Sequence, residues 1–206
     1  MELLLVVVLI FVFPVLLVTV SVIPFQFRIG VLVLVTLFTG LYLYLTGWQW
    51  SDLGFRTDNV FVVWWHYVVG GVAGVVGIKL YAYLLARRWH YRMFGQAPHF
   101  LLGFIVVVSL AQQLLFFGFL LTYSLSVFGS VLAAITLVSL LFMYLHIVYP
   151  NLQINLPLAG VGGVLFCLVF ITGPNFYLAT LLHIVLNATA VTHGFFVLKD
   201  EYEYYA

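Results

Sequence analysis

Residues 99–126 read HFLLGFIVVVSLAQQLLFFGFLLTYSLS. The stretch contains 28 residues and none of them is Asp, Glu, Lys or Arg. A helix of roughly 20 mostly apolar residues is long enough to cross the hydrocarbon core of a bilayer. The stretch therefore predicts a membrane-spanning helix. Two adjacent glutamines, Gln112 and Gln113, lie at its centre, where hydrocarbon disfavours polar side chains and where their presence needs a reason.

The rest of the chain is just as apolar. Of its 206 residues, 66% are hydrophobic and 6% are charged, and the mean hydropathy is +1.23. A soluble domain of this size cannot bury that much apolar surface, so the composition indicates one integral membrane domain spanning residues 1–206. The formal net charge of +1 gives no basic surface for nucleic acid, which excludes that class of partner.

Six further apolar runs have the length of membrane helices. The sequence therefore predicts an all-α, polytopic transmembrane bundle of about seven spans, followed by a short polar tail at 198–206. The expected spans are residues 3–24, 29–47, 60–86, 99–126, 129–149, 155–172 and 175–197. The first run lacks the positive start and the small-residue cleavage site of a signal peptide, so we interpret it as a retained span.

Basic residues predict the orientation of the bundle. Arg87, Arg88 and Arg92 cluster in the joint between the third and fourth spans, and positive joints remain in the cytoplasm. Seven spans then place Arg28 and Lys199 on the same side. We expect an integral protein, most simply of a prokaryotic plasma membrane, with its N-terminus outside and its C-terminus in the cytoplasm.

The polar residues inside the predicted spans fall at helical spacing. His146 follows Phe142 by four residues and Asn187 follows His183 by four, so each pair shares one helix face. The two glutamines lie about 100° apart around their helix, so one can face a pocket while the other reaches a neighbouring helix. The pattern fits a shared polar pocket, and it equally fits hydrogen bonds that hold helices together.

The predicted membrane interior contains no carboxylate, because no Asp or Glu lies between Asp58 and Asp200. A carboxylate general base is therefore absent from the polar positions. Two histidines and an amide fall short of the three strong ligands that zinc usually takes, so we expect no metal and no cofactor. The single cysteine, Cys167, excludes a disulfide within the chain.

Three segments resemble the motifs of a known family. They are QQLLFFGFLL from residue 112, FMYLH from residue 142 and ITGPNFYLATLLHIVLN from residue 171. Their order and spacing resemble those of the CPBP family, the CAAX proteases and bacteriocin-processing (Abi) intramembrane proteases. Its pattern is Glu-Glu-x-x-x-Arg, then Phe-x-x-x-His, then His-x-x-x-Asn or Asp. WSDLGF at 50–55 is similar to an upstream segment of that family, so the resemblance extends over a core of about 48–197.

The resemblance implies a set of site residues. Gln112 and Gln113 occupy the glutamate pair, and Phe117 occupies the arginine. The remaining positions match the family and are Phe142, His146, His183 and Asn187. In the family, the first glutamate and the second-motif histidine are understood to activate water, while the other histidine and the asparagine bind the oxyanion. The expected reaction is cleavage of peptides, including prenylated CAAX tails, near the cytoplasmic face.

The first motif has lost all three of its charged residues. Glutamine keeps the reach of glutamate but cannot accept a proton from water, and loss of a general base typically costs about 10²–10⁴ in rate. We therefore expect an inactive pseudoprotease that acts as a structural, binding or regulatory subunit, with the lipid bilayer and other membrane proteins as partners. We also expect the amides to hydrogen-bond to His146 or His183.

Three alternatives stay open. One is a CAAX-type intramembrane endopeptidase that retains activity through its histidines and binds a membrane-anchored or prenylated peptide. Another is an active protease inactivated by engineered Glu→Gln changes, although such a variant would keep the arginine that Phe117 replaces. The last is an unrelated polytopic protein, such as a small transporter subunit.

Overall fold

The structure is a computed structural model that describes residues 2–84, 98–149 and 151–196. Within these ranges the regular elements are all helical and form seven apolar helices, α1 to α7. The bounds are α1, Glu2–Val6 continued by the π-helical Val7–Val12 and by Phe13–Thr19; α2, Arg28–Leu45; α3, Val60–Leu84; α4, Pro98–Gln112 continued by the π-helical Gln113–Leu120 and by Leu121–Phe128; α5, Val131–Leu145, with a 3₁₀ turn at His146–Val148; α6, Leu152–Thr172; and α7, Phe176–Thr192.

The seven helices coincide with the seven predicted spans, which confirms the all-α membrane bundle. Five of them are long and apolar enough to cross a membrane, and the apolar helices Leu3–Thr19 and Phe176–Thr192 are shorter. The arginine cluster at 87–92 and the tail at 198–206, on which the predicted orientation partly depends, lie outside the described residues.

Helix α4 is the central helix of the bundle. Residues are buried over 67% of the most apolar window of Gly103–Phe128, compared with 11% for Arg28–Leu45 in α2. The backbone at Leu53 packs closely against α4 at Gly118. A Cβ built on this glycine would lie only 3.3 Å from the Leu53 carbonyl oxygen. The glutamines therefore lie on the helix that most of the other helices surround.

One end of the bundle is closed by two joints, residues 46–59 and 173–175, which we call the Trp48 face. Asn175 is fully buried there and its amide donates to the carbonyl of Arg56 and to Oδ1 of Asn59, both at 2.8 Å. The amide of Phe176 donates to the carbonyl of Gly54 at 2.7 Å. These bonds attach the WSDLGF segment to the start of α7.

The opposite end, where Arg28 begins α2 and Leu152 begins α6, is called the Arg28 face. Here the Tyr81 hydroxyl, near the end of α3, donates to the carbonyl of Ile154 at 2.8 Å. The pairing of joints at each face agrees with helices that cross the bundle in alternating directions, as seven successive spans require.

Candidate active site

The two glutamines face different surroundings, as their angular separation predicts. Gln112 ends the α-helical part of α4 and lines a cavity between α1, α2 and α4, together with Arg28 of the Arg28 face. That cavity has a volume of about 710 Å³ including its opening. Gln113 begins the π-helical part of α4 and is fully buried in the bundle. The π-helical stretch begins within the first motif and covers it from Gln113 to Phe117, and such stretches often occur at functional sites.

The buried glutamine has no hydrogen-bonding partner. Neither Oε1 nor Nε2 of Gln113 is bonded to any described residue, and the same is true of both ring nitrogens of His183. The expected bonds from the amides to His146 or His183 are therefore wrong for the described structure. The motif spacing is compatible with polar side chains that meet, but in the fold aromatic rings lie between them.

Phe117 supplies the central ring of that aromatic cluster. It is fully buried, and its ring centroid lies 5.4 Å from Phe142, 5.1 Å from Phe166 and 5.9 Å from His183. His183 itself lies 4.2 Å from the Phe166 ring. A phenylalanine at the position of the family's arginine thus fills the space beside His183 with hydrocarbon. The third-motif histidine is surrounded by aromatic rings in place of charged groups.

The other two retained polar residues line a second cavity, which we call the His146 cavity. It lies between α3, α6 and α7, against the end of α5, and its volume is about 1020 Å³ including its opening. His146 and Asn187 both line it, close to Tyr81 of α3. The Gln112 cavity and the His146 cavity have no lining residue in common.

His146 and Asn187, which line the His146 cavity, each already make one hydrogen bond within the protein. Nδ1 of His146 lies 2.7 Å from the carbonyl oxygen of Phe142, an acceptor, so this nitrogen carries a proton. Nε2 is then an acceptor in the neutral ring. The amide of Asn187 donates to Oγ of Ser109 on α4 at 3.0 Å. The amide proton used in that bond is unavailable to an oxyanion.

The arrangement separates the parts that peptide hydrolysis needs in one place. A general base must come within about 3 Å of the water it activates, directly or through one further water. Here the first glutamine position opens to one cavity, the second-motif histidine opens to another, and the third-motif histidine lies in the aromatic cluster. Among the described residues, no three His, Cys, Asp or Glu side chains form a metal-binding group.

Two residues of this region carried no recognisable signal in the sequence. Phe166 is one of many apolar residues of α6, and only the packing of α6 against α7 brings it to His183. Ser109 lies on α4, and serines in membrane helices usually bond to backbone carbonyls of their own helix. Its bond to Asn187 joins α4 to α7, which spacing along one helix could not predict.

Comparison with known proteins supports the resemblance seen in the motifs. Residues 94–189 match the family model described as type II CAAX prenyl endopeptidase Rce1-like. The matched range includes all seven motif positions, from Gln112 to Asn187. No curated protein and no solved structure matches the chain.

Proposed function

We propose that this chain, whose residues 94–189 match the type II CAAX prenyl endopeptidase Rce1-like family, is a catalytically inactive membrane protein. It would serve as a structural, binding or regulatory subunit of a membrane assembly. The main support for this proposal is the position of Phe117. Its ring occupies the centre of the former charged motif and packs on Phe142, Phe166 and His183. Hydrocarbon at this point excludes the water that hydrolysis requires.

The chemistry of the glutamines supports the same proposal. The amides at positions 112 and 113 do not titrate, so neither can accept a proton from a nucleophilic water. An arginine beside two neutral amides would be an unpaired charge inside the membrane, at a cost of several kcal/mol. The phenylalanine removes that cost. The three differences from the family therefore form one consistent change to an uncharged interior.

The proposed role as a subunit assigns the function to the outer surface. Large apolar side chains are exposed along α2 and α3, among them Phe38, Tyr44, Phe61 and Trp65. Side chains of this kind pack against lipid or against helices of other membrane proteins. We propose that the partners are membrane proteins that contact these helices, and that the Arg28 face lies in the cytoplasm.

The proposal is tested by a cleavage assay on the purified protein. Farnesylated and unmodified tail peptides are incubated with the wild type and with His146→Ala, and products are measured by mass spectrometry. We expect no cleavage above the His146→Ala background. Cleavage that disappears in His146→Ala shows an active protease and rejects the proposal. A triple variant, Gln112→Glu with Gln113→Glu and Phe117→Arg, tests whether the assay can detect restored activity.

The subunit role requires a second measurement. The tagged protein is extracted from its native membrane in a mild detergent and its assembly mass is determined by size-exclusion chromatography with light scattering. We expect a mass above that of the 23.3 kDa chain after subtraction of detergent. A monomer in every mild detergent contradicts the subunit role, even if the cleavage assay shows no activity.

One observation favours a second candidate function. His146 and Asn187 line the same cavity, and a histidine with an amide could support weak hydrolysis by a CAAX-type endopeptidase acting on a membrane-anchored peptide. The bond from Asn187 to Ser109 weighs against it, because it engages one of the two amide protons and fixes the side chain on α4. Activity of this kind would be lost in His146→Ala and in Asn187→Ala alike, and would not depend on the residue at position 112.

A further inference from the structure

We propose that the His146 cavity binds a neutral membrane lipid that carries a hydroxyl group at its polar end. The inference rests on the proposed function, because a cavity no longer used for peptide cleavage can accommodate another ligand. The part of this cavity that water-sized molecules can occupy has a volume of about 340 Å³, which is in the range of small-molecule sites, typically about 300–1,000 Å³. Four features of the cavity identify the class of ligand.

The cavity is apolar over most of its length and polar at one end. Ala73 and Leu165 line the apolar part, whereas Tyr81, His146 and Asn187 line the end nearer the Arg28 face. Ala73 and Tyr81 are eight residues apart on α3, which corresponds to about 12 Å along the helix axis. This length fits a hydrocarbon body that lies along the membrane normal with its polar group towards one membrane surface.

The cavity opens laterally between α3 and α6. Gly77 of α3 and Val161 of α6 line it and are both exposed, Val161 to 70%. Two of its glycines, Gly77 and Gly162, have no atom within 4 Å of the position a Cβ would take, so these helices leave an open gap. Since both helices are predicted spans, the gap faces the hydrocarbon region, from which a lipid can enter.

The polar end offers hydrogen-bond acceptors. His146 is 5% exposed, its Nδ1 is occupied by the Phe142 carbonyl, and its Nε2 has no hydrogen-bond partner among the described residues. The Tyr81 hydroxyl has already donated its proton to the Ile154 carbonyl. Asn187 has donated one of its two amide protons to Ser109. A ligand that satisfies Nε2 of His146 must bring a donor, which a hydroxyl group can do.

The absence of charged side chains from the described lining of the cavity excludes ionic lipids. No Asp, Glu, Lys or Arg is among the described residues that line it. A carboxylate would meet the acceptors His146 Nε2 and the Tyr81 oxygen without a counter-charge, which is unfavourable in an apolar site. A neutral alcohol satisfies the histidine and introduces no charge. The ligand class is therefore a lipid alcohol, with a chain or fused rings as its body.

The test uses a photoreactive probe on the full chain in detergent. A 1-hexadecanol with a diazirine in its chain is irradiated with the purified protein, and labelled peptides are mapped by mass spectrometry. We expect labels on α3 and α6 beside the cavity. Unlabelled 1-hexadecanol should compete better than its methyl ether, which has no donor, and better than hexadecanoic acid. Equal competition by the ether overturns the role of the hydroxyl group.

Matched glycine variants test the location. Leucine at Gly77 or Gly162 fills the gap, whereas leucine at Gly103 of α4, which also has open space around it and does not line the cavity, is the control. We expect Gly77→Leu and Gly162→Leu to abolish the labelling and Gly103→Leu to preserve it. Labelling that survives both cavity variants overturns the site. His146→Phe should weaken competition by the alcohol roughly 2- to 10-fold, the worth of one hydrogen bond.

The two proposals fail in different ways. Peptide cleavage by the wild type would reject the inactive assignment while leaving the pattern of alcohol labelling unchanged. Labelling without preference for the alcohol, in a protein that cleaves no peptide, would reject the lipid ligand alone.

Discussion

At the scale of single residues, the centre of the bundle combines neutral polar groups with aromatic rings. Gln113 and His183 are both fully buried, and none of their four side-chain nitrogen and oxygen atoms has a hydrogen-bond partner among the described residues. An unsatisfied buried polar group costs about 1–3 kcal/mol. Phe117, in contrast, contributes aromatic packing at the same depth. The two glutamines thus differ in what they cost the fold, because both polar atoms of Gln113 are buried without a partner, whereas for Gln112, which borders a cavity, only Oε1 is.

Replacement of Gln113 by leucine tests this account of the interior. Leucine has a similar volume and carries no polar atoms, so Gln113→Leu should leave stability unchanged or raise the free energy of unfolding by about 1–3 kcal/mol. The measurement is unfolding of the purified protein in mixed micelles. The matched control is Gln112→Leu, where the amide borders the cavity and a smaller gain is expected. A loss of more than about 1 kcal/mol in Gln113→Leu would mean that the amide has a bonding partner after all.

At the scale of helices, the N-cap residues of α5 and α7 show that the stabilisation from a cap depends on its surroundings. Ser130 begins α5 and accepts from the amide of Ala133 at 3.3 Å, at an exposed position. Asn175 begins α7 and accepts from the amide of Leu178 at 3.0 Å, fully buried. The buried cap also donates two bonds to the 46–59 joint. One side chain therefore holds both the start of α7 and the Trp48 face.

The difference between these caps predicts a difference in stability. Asn175→Ala removes three hydrogen bonds and leaves buried backbone groups unpaired, so we expect a loss of about 2–4 kcal/mol. Ser130→Ala, the matched control, should cost about 1 kcal/mol or less. Both are measured as changes in the free energy of unfolding in the same micelles. Equal losses in the two variants would contradict the view that Asn175 joins the two parts of the Trp48 face.

At the scale of the whole molecule, helix positions were predictable and helix rotations were not. Apolar length alone places all seven helices, because each apolar run must cross about the same hydrocarbon thickness. The motif residues were also identifiable, because they are polar or regularly spaced. The distribution of these residues over two cavities and an aromatic cluster was not predictable. It depends on the rotation of α4, which directs Gln112 to one cavity and Gln113 into the bundle, and on which ring of α6 reaches His183. The π-helical stretch after Gln112 had no signal in the sequence.

The orientation of the bundle in the membrane is a prediction that belongs to this scale. The chain has one cysteine, Cys167, which is fully buried, so the wild type should not react with a maleimide that cannot cross membranes. Cysteine is introduced at exposed positions on opposite faces, as Ser51→Cys on the Trp48 face or Gln153→Cys near the Arg28 face. The basic joints predict that the Arg28 face is cytoplasmic.

Intact cells should then label Ser51→Cys and leave Gln153→Cys unlabelled until the membrane is permeabilised. Because the wild type provides a blank, any signal reports the introduced residue alone. The reverse pattern would show that the seven helices run in the opposite direction. In that case the polar end of the His146 cavity would face the outside, and a hydroxylated lipid could reach it only from the outer leaflet.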